Sequence, residues 1–290
     1  MIETVSFANE ETEGPCLLIL GAIHGNEKCG AEAIRRIVPE IRSGAVALTR
    51  GRVTFVPVAN PRAYAQDVRF TERNLNRFLV PMEKPDCYEA KIGNLLCPLL
   101  ADCDFLLDLH SYSVGGPPFI FIGEGDEKGR VFAAGLGEHA QLTGWASAYA
   151  ASGHGEGKLT DESTGTTEYA RRFGATSVTL ECGQHRDPQA PDVAYRAIRN
   201  ALRYLGMTGE TASQTTANAA RLITVRRVYY REDNGAFAKP WKHLDTVAAG
   251  ETVGHDAKGI AVTAPGDGYI VMPHADAPVG EEWFYFGTAD

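Results

Sequence analysis

Four residues in this chain combine types and spacings that can do acid, base or metal chemistry: His24, Glu27, His110 and Glu181. His24-Gly-Asn-Glu27 is an H-x-x-E pair, and its imidazole and carboxylate both reach one metal ion if the turn folds back or a helix starts there. For such a pair alone, the alternative is a loop histidine satisfied by a neighbour. His110 closes the apolar run in FLLDLHS, with Asp108 two residues earlier on the same side of the strand. Two histidines and one glutamate with an open position form a recognised catalytic zinc arrangement, in which the metal lowers the pKa of bound water to about 7. The competing reading is a core histidine hydrogen-bonded to Asp108. Glu181 follows the apolar SVTL, where an ionised carboxylate is costly without a partner or a task. General base near an activated water is such a task, worth about 10² to 10⁴ in rate. An ion pair with an arginine is the other.

The segment RFTERNLNRF (69–78) adds Arg69, Arg73 and Arg77 at four-residue spacing, with Asn76 beside the last. Guanidinium groups hold carboxylates through paired, charge-assisted hydrogen bonds, and a further arginine polarises a carbonyl as its oxygen becomes negative. Taken singly, each arginine also fits a solvated surface role.

The frame for these groups is legible as alternating strands and helices. Residues 16–23, 53–59, 104–109, 119–122 and 175–180 are short apolar runs that predict buried strands, and 30–42, 88–101, 128–142 and 190–205 carry helical spacing, with prolines at 39 and 98. Alternation of this kind predicts an α/β sheet. In such sheets ligands bind beyond the carboxyl ends of the strands. His24 and Glu27 follow the first of these strands, Asn60 and Arg62 the second, His110 and Ser111 the third, and Glu181 the last.

From 207 to 219 the chain turns polar and small, without apolar periodicity, and is expected to link a catalytic domain (1–206) to a β-barrel-like domain (220–290). The latter reads as short β pieces separated by Asn-Gly, Ala-Gly and Pro-Gly-Asp-Gly turns. The net charge is −9, from 28 Lys+Arg against 37 Asp+Glu, and no basic run forms, which argues against generic binding to nucleic acid or anionic membrane. No stretch approaches about 18 consecutive apolar residues, and the acidic N-terminus lacks a signal-peptide pattern, so a cytoplasmic protein with reduced cysteines is expected. None of the six cysteines forms a C-x-x-C pair.

HGNE, NPRA, ERNLNRF, DLHS and LECG, in this order, resemble the succinylglutamate desuccinylase/aspartoacylase family, a branch of the zinc carboxypeptidase-like superfamily. The resemblance spans about residues 15–205, and the β-rich tail is similar to the C-terminal barrel many members carry. It implies a mixed α/β sheet flanked by helices, with a small C-terminal all-β domain. It further implies one Zn2+ per chain on His24, Glu27 and His110, with Glu181 as the general base toward the zinc-bound water. Arg69 matches the arginine that stabilises the carbonyl oxygen, and Asn76 and Arg77 match the pair that binds the substrate carboxylate. The implied reaction is hydrolysis of the amide bond of a small N-acylated amino acid or related compound. A small-molecule N-acyl substrate is then the partner, and a homo-oligomer is left open.

The sequence departs from the family where the usual D-L-N-R reads Asn74-Leu75-Asn76-Arg77. Tyr169, Arg171, Arg172, Tyr269 and Tyr285 are loosely placed candidates for further substrate contacts. Three other readings stay in view: a zinc metallocarboxypeptidase acting on peptides, a lipoyl- or biotinyl-type carrier unit with Lys258 at a hairpin tip, and a metal-binding module without catalysis. GHGEGK (153–158) lacks the residues of a phosphate loop and reads as a loop whose His154 and Glu156 are candidates for the site mouth.

Overall fold

In the computed structural model, residues 2–137, 139–152, 164–210 and 221–289 are described. His154, Glu156 and most of the 207–219 linker lie outside them. In chain order the first elements are β1 (Val5–Ala8), β2 (Cys16–Gly21), α1 (Cys29–Arg42), β3 (Arg52–Val56) and α2 (Pro61–Gln66). They are followed by α3 (Tyr88–Ala101), β4 (Phe105–Tyr112), β5 (Phe119–Phe121), α4 (Glu127–Leu136), β6 (Ala140–Thr143) and α5 (Trp145–Ser152). Then come α6 (Thr166–Arg172), β7 (Thr176–Gln184) and α7 (Ala190–Tyr204). A single 3-10 turn, Leu75–Arg77, lies between α2 and α3.

One compact unit is built on the strand order β1-β3-β2-β4-β7-β5. Its four central strands run parallel, and β1 and β5 pair antiparallel with β3 and β7, so the sheet is mixed. The central strands are apolar on both faces because both are covered. Leu18, Leu20 and Leu106 pack with Leu96 and Leu100 of α3 and Tyr169 and Ala170 of α6. On the opposite face Leu109 meets α1 at Gly30, where a Cβ would lie 2.7 Å from the Leu109 Cβ. α1 and α7 bury Ile34, Ile37 and Ile41, and Val193, Ala197 and Ile198, at the spacing of one helical face. Each fully buried Leu or Ile contributes about 2 kcal/mol.

A second unit collects residues 113–117, 140–152 and 221–289 among those described. It contains β8 (Leu222–Tyr230), β9 (Ala236–Phe237), β10 (Asp245–Val247), β11 (Thr252–His255), β12 (Ala261–Thr263), β13 (Gly268–Val271) and β14 (Glu282–Ala289). Strands β6-β8-β14-β13-β10 form one sheet and β12-β11-β9 another. Trp241, Val253, Ile270, Trp283 and Phe284 make its core. Lys258 occupies the turn between β11 and β12, where its N–H and that of Ile260 donate to Asp256 Oδ1.

Several element boundaries differ from the sequence reading. The helix expected over 128–142 ends at Leu136, because Gly137 takes φ +150, and 140–143 is a strand in which Leu142 pairs with Ile223 of β8. Residues 140–152 fall in the second unit. Glu181 lies inside β7, not at its end, and His110 and Ser111 lie inside β4. β1, α5 and α6 carry too short a periodic signal to stand out from sequence.

Candidate active site

Three neighbouring strands deliver the chemistry-bearing groups to one place. β2 ends at Gly21 and leads into a turn that holds His24, folded back so that the Glu27 N–H donates to the His24 carbonyl (3.1 Å). The turn is tight. Ala22 takes φ +50, a region L residues avoid, and a Cβ on Gly25 would fall 2.0 Å from the Ala63 carbonyl carbon. β4 carries His110, which pairs in register with Glu181 of β7.

Glu27 is the hub of the cluster. Its Oε1 lies 2.9 Å from His24 Nδ1 and accepts from Arg69 Nη1 at 2.8 Å. Its Oε2 lies 2.8 Å from His110 Nδ1 and accepts the Ser111 N–H at 3.2 Å. Ligand atoms of His24, Glu27 and His110 all fall within 4.8 Å of one another, and all three residues are buried. Behind His110, Asp108 Oδ2 lies 3.0 Å from Nε2 but out of line for a hydrogen bond. Behind His24, Nε2 meets Asn74 Oδ1 at 3.1 Å.

Burial pushes His24 down to about 4; Glu27 opposes the shift and the Arg69 charge adds to it. His110 shares the same burial, yet the Asp108 and Glu27 carboxylates hold it well above the ordinary histidine value. The two histidines differ because a carboxylate stands behind one and an amide behind the other. Glu27, although buried, is held well below the usual carboxylate range by the two imidazoles. Burial and the neighbouring Glu27 push Glu181 up to about 8. Five buried side-chain atoms among the described residues lack an aligned hydrogen-bond partner here: His24 Nδ1, Asn26 Oδ1, Asp108 Oδ1, His110 Nε2 and Glu181 Oε2. Buried polar atoms left in this state are costly unless a ligand or metal completes them, and His24 Nδ1, on the Glu27 side of its ring, and Glu181 Oε2 are the ones so placed; His110 Nε2 backs onto Asp108 instead. A nitrogen and oxygen donor set of two histidines and one glutamate suits zinc.

The 69–78 segment is shaped by a residue the sequence reading passed over. Glu89, in the first turn of α3, is fully buried and accepts from Asn60 Nδ2, Thr71 N–H, Thr71 Oγ1, Glu72 N–H and Arg73 N–H at 2.8 to 3.3 Å. A glutamate alone in a helical first turn gives no sequence signal that sets it apart. Burial raises its pKa, but the Thr71 and Asn60 hydrogen bonds win, and it sits below the ordinary value. Its stabilising contribution is therefore present above the ordinary carboxylate range and lost as pH falls through the lowered folded value. Glu89→Gln replaces one acceptor with an NH₂ that faces N–H donors, and is expected to cost about 2 to 3 kcal/mol in a urea melt at neutral pH. A loss below about 0.5 kcal/mol, the range of a neutral surface change, would contradict that role.

Beyond this anchor, Asn74 Oδ1 accepts the Asn76 N–H (3.1 Å) and opens the 3-10 turn. Asn76 Oδ1 in turn accepts the Thr166 N–H (2.9 Å), tying the turn to the start of α6. Arg77 is exposed and donates to the Asn76 carbonyl (2.9 Å), with no carboxylate partner among the described residues. Arg73 packs over the Phe78 ring instead. Arg62 pairs with Glu72 at 2.7 Å.

The loosely placed candidates have other partners. Tyr169 is buried in the core with Leu96 and Cys97. Arg171 donates to the Ser177 carbonyl (3.0 Å) and lies 3.5 Å from both Asp126 and Glu168. Arg172 donates to Thr164 Oγ1 at 2.7 Å. Tyr285 bonds Tyr149 (2.8 Å) and lies tilted against the Trp145 ring, and Tyr269 lies under the Arg221 guanidinium.

A mixed sheet flanked by helices, with a β-rich C-terminal region and this His-x-x-Glu turn, is the fold of the desuccinylase and aspartoacylase enzymes. Residues 13–205 match the Succinylglutamate desuccinylase/Aspartoacylase catalytic domain, and the chain belongs to that family of hydrolytic deacylases. A succinylglutamate desuccinylase/aspartoacylase from Rhodobacter sphaeroides is similar over 100% of this chain and 88% of its own, with 20% identity and a TM-score of 0.78. The product-bound ectoine utilization protein EutE (DoeB) from Ruegeria pomeroyi is similar over 99% of this chain and 89% of its own, with 21% identity and a TM-score of 0.76. An aspartoacylase family protein from Mesorhizobium loti covers 100% of this chain and 89% of its own, with 20% identity and a TM-score of 0.72. A search of curated protein sequences gives no significant match. Among the described residues no helix is long and apolar enough to cross a membrane.

Proposed function

We propose that this chain is a zinc-dependent amidohydrolase that removes the acyl group from a small N-acylated amino acid or related compound. The observation that carries this reading is the convergence of His24, Glu27 and His110 within 4.8 Å beside the buried, unpartnered Glu181 oxygen. His24, Glu27 and His110 are the metal ligands. When bound there, zinc brings the pKa of water near 7 and polarises the carbonyl.

The chain's own residues do the rest. Glu181, buried and with a raised pKa, takes the proton from the attacking water and returns it to the leaving nitrogen as the amide C–N bond breaks. The products are a carboxylate and a free amine. Arg69 anchors one guanidinium nitrogen on Glu27 while its side chain remains 43% exposed, leaving N–H groups free to face the developing oxyanion. Asn76 and Arg77 bind the substrate carboxylate, with the 3-10 turn braced against α6 through Asn76 Oδ1. The substrate is a small molecule and the setting is cytoplasmic.

The test is amine release from a panel of N-acetyl and N-succinyl amino acids by the zinc-loaded protein, alongside peptides with free C-termini. Cleavage of N-acyl amino acids that stops on chelation is the expected result. Release of C-terminal residues from peptides, with no N-acyl cleavage, would overturn the reading in favour of a metallocarboxypeptidase. Arg77→Ala is expected to raise KM about 10- to 100-fold for substrates with a free carboxylate, the range of one lost charge-assisted interaction. The corresponding carboxamides should be nearly unaffected. Equal losses for both would contradict the clamp.

A further inference from the structure

We propose that Asn74 is a positioning residue that holds the His24 imidazole through a neutral amide oxygen, making His24 the weaker of the two histidine arms toward a bound metal. The inference rests on the metal-site reading above. Its first support is geometric. Asn74 Oδ1 stands 3.1 Å from His24 Nε2 and 3.1 Å from the Asn76 N–H. A backbone N–H only donates, so the atom facing it is the amide oxygen and not the NH₂. The same oxygen faces His24 Nε2, which must then carry the proton. Nδ1 is left with its lone pair free, on the side where it lies 2.9 Å from Glu27 Oε1 without an aligned hydrogen bond. Asn74 thus fixes both the tautomer and the ring orientation of a ligand.

The second support is the contrast with His110. That ring has a fully buried carboxylate, Asp108, 3.0 Å from its Nε2, out of line for a hydrogen bond and so acting through its charge, while His24 has an uncharged amide hydrogen-bonded in the equivalent place. A carboxylate behind a ligating histidine increases the electron donation of the imidazole; an amide orients the ring with far less of this effect. The site is therefore asymmetric, with one charged and one neutral support. The same Oδ1 opens the turn that carries Asn76 and Arg77, so the support of the ligand and the placement of that turn share a single atom.

Zinc affinity, measured by competition with a chromophoric chelator at neutral pH, tests this on wild type, Asn74→Ala and Asn74→Asp. Asn74→Ala is expected to bind zinc about 10- to 100-fold more weakly, the usual effect of losing a supporting partner. Asn74→Asp keeps the shape and the acceptor for the Asn76 N–H while adding the charge, and is expected to bind about 10-fold more tightly. Thermal midpoints of the zinc-free variants show whether each still folds. A purely structural role predicts that Asn74→Asp matches wild type, and that result overturns the proposal, as does an Asn74→Ala affinity within about threefold of wild type. The failures of the two readings are distinguishable. Unchanged affinities in a chain that hydrolyses N-acyl amino acids overturn the role of Asn74 alone. The predicted order of affinities in a chain without that activity supports Asn74 and overturns the deacylase reading.

Discussion

Glu181→Gln is expected to retain zinc and to lose about 10² to 10⁴ of kcat, the contribution of a positioned general base. The glutamine keeps the volume of the side chain in β7 and the register with His110, so the ligand cluster should survive. What it removes is a carboxylate that burial and Glu27 push up to about 8. A base must be deprotonated to act, so wild-type kcat/KM should rise with pH through the Glu181 pKa. That limb should lie at or below about 8, because a cation nearby favours the charged form. The variant should lack it. Full retention of turnover, or zinc loss equal to that of a ligand variant, would contradict a role in proton transfer separate from metal binding.

His110→Ala is expected to abolish stable zinc binding, weakening it beyond the 10- to 100-fold that loss of a supporting residue costs. The same change withdraws the imidazole that lies against both Glu27 and Asp108. Asp108 is fully buried, so the zinc-free variant should also lose about 3 kcal/mol of stability from the carboxylate left behind. Metal content after desalting and a denaturant melt of the zinc-free forms check both parts. Wild-type zinc content in this variant would remove His110 from the ligand set.

Much of this arrangement was legible in the residue order, for a physical reason. Parallel strands buried on both faces must be apolar, so polar residues such as Glu181 in β7 and His110 in β4 stand out against their own strands. The amphipathic faces of α1 and α7 were equally plain. Other features depend on partners far away in sequence. Nothing near Glu89 announces that it will gather donors from Asn60 and Thr71 through Arg73. The replacement at Asn74 was visible, but its contact with His24, 50 residues earlier, was not. The break between α4 and β6 was hidden because Gly137 interrupts a composition that otherwise continues the helix, and the pairing of Leu142 with Ile223 then decides for a strand.

The central claim is that His24, Glu27 and His110 hold a catalytic zinc, and zinc content per chain tests it most directly. Protein expressed with zinc available, desalted and measured by inductively coupled plasma mass spectrometry is predicted to carry about one zinc per chain, as three protein ligands with an open position require. Activity toward N-acyl amino acids should fall with the metal on chelation and return with added zinc. A chain free of zinc that hydrolyses these substrates undiminished in the presence of chelator would contradict the account.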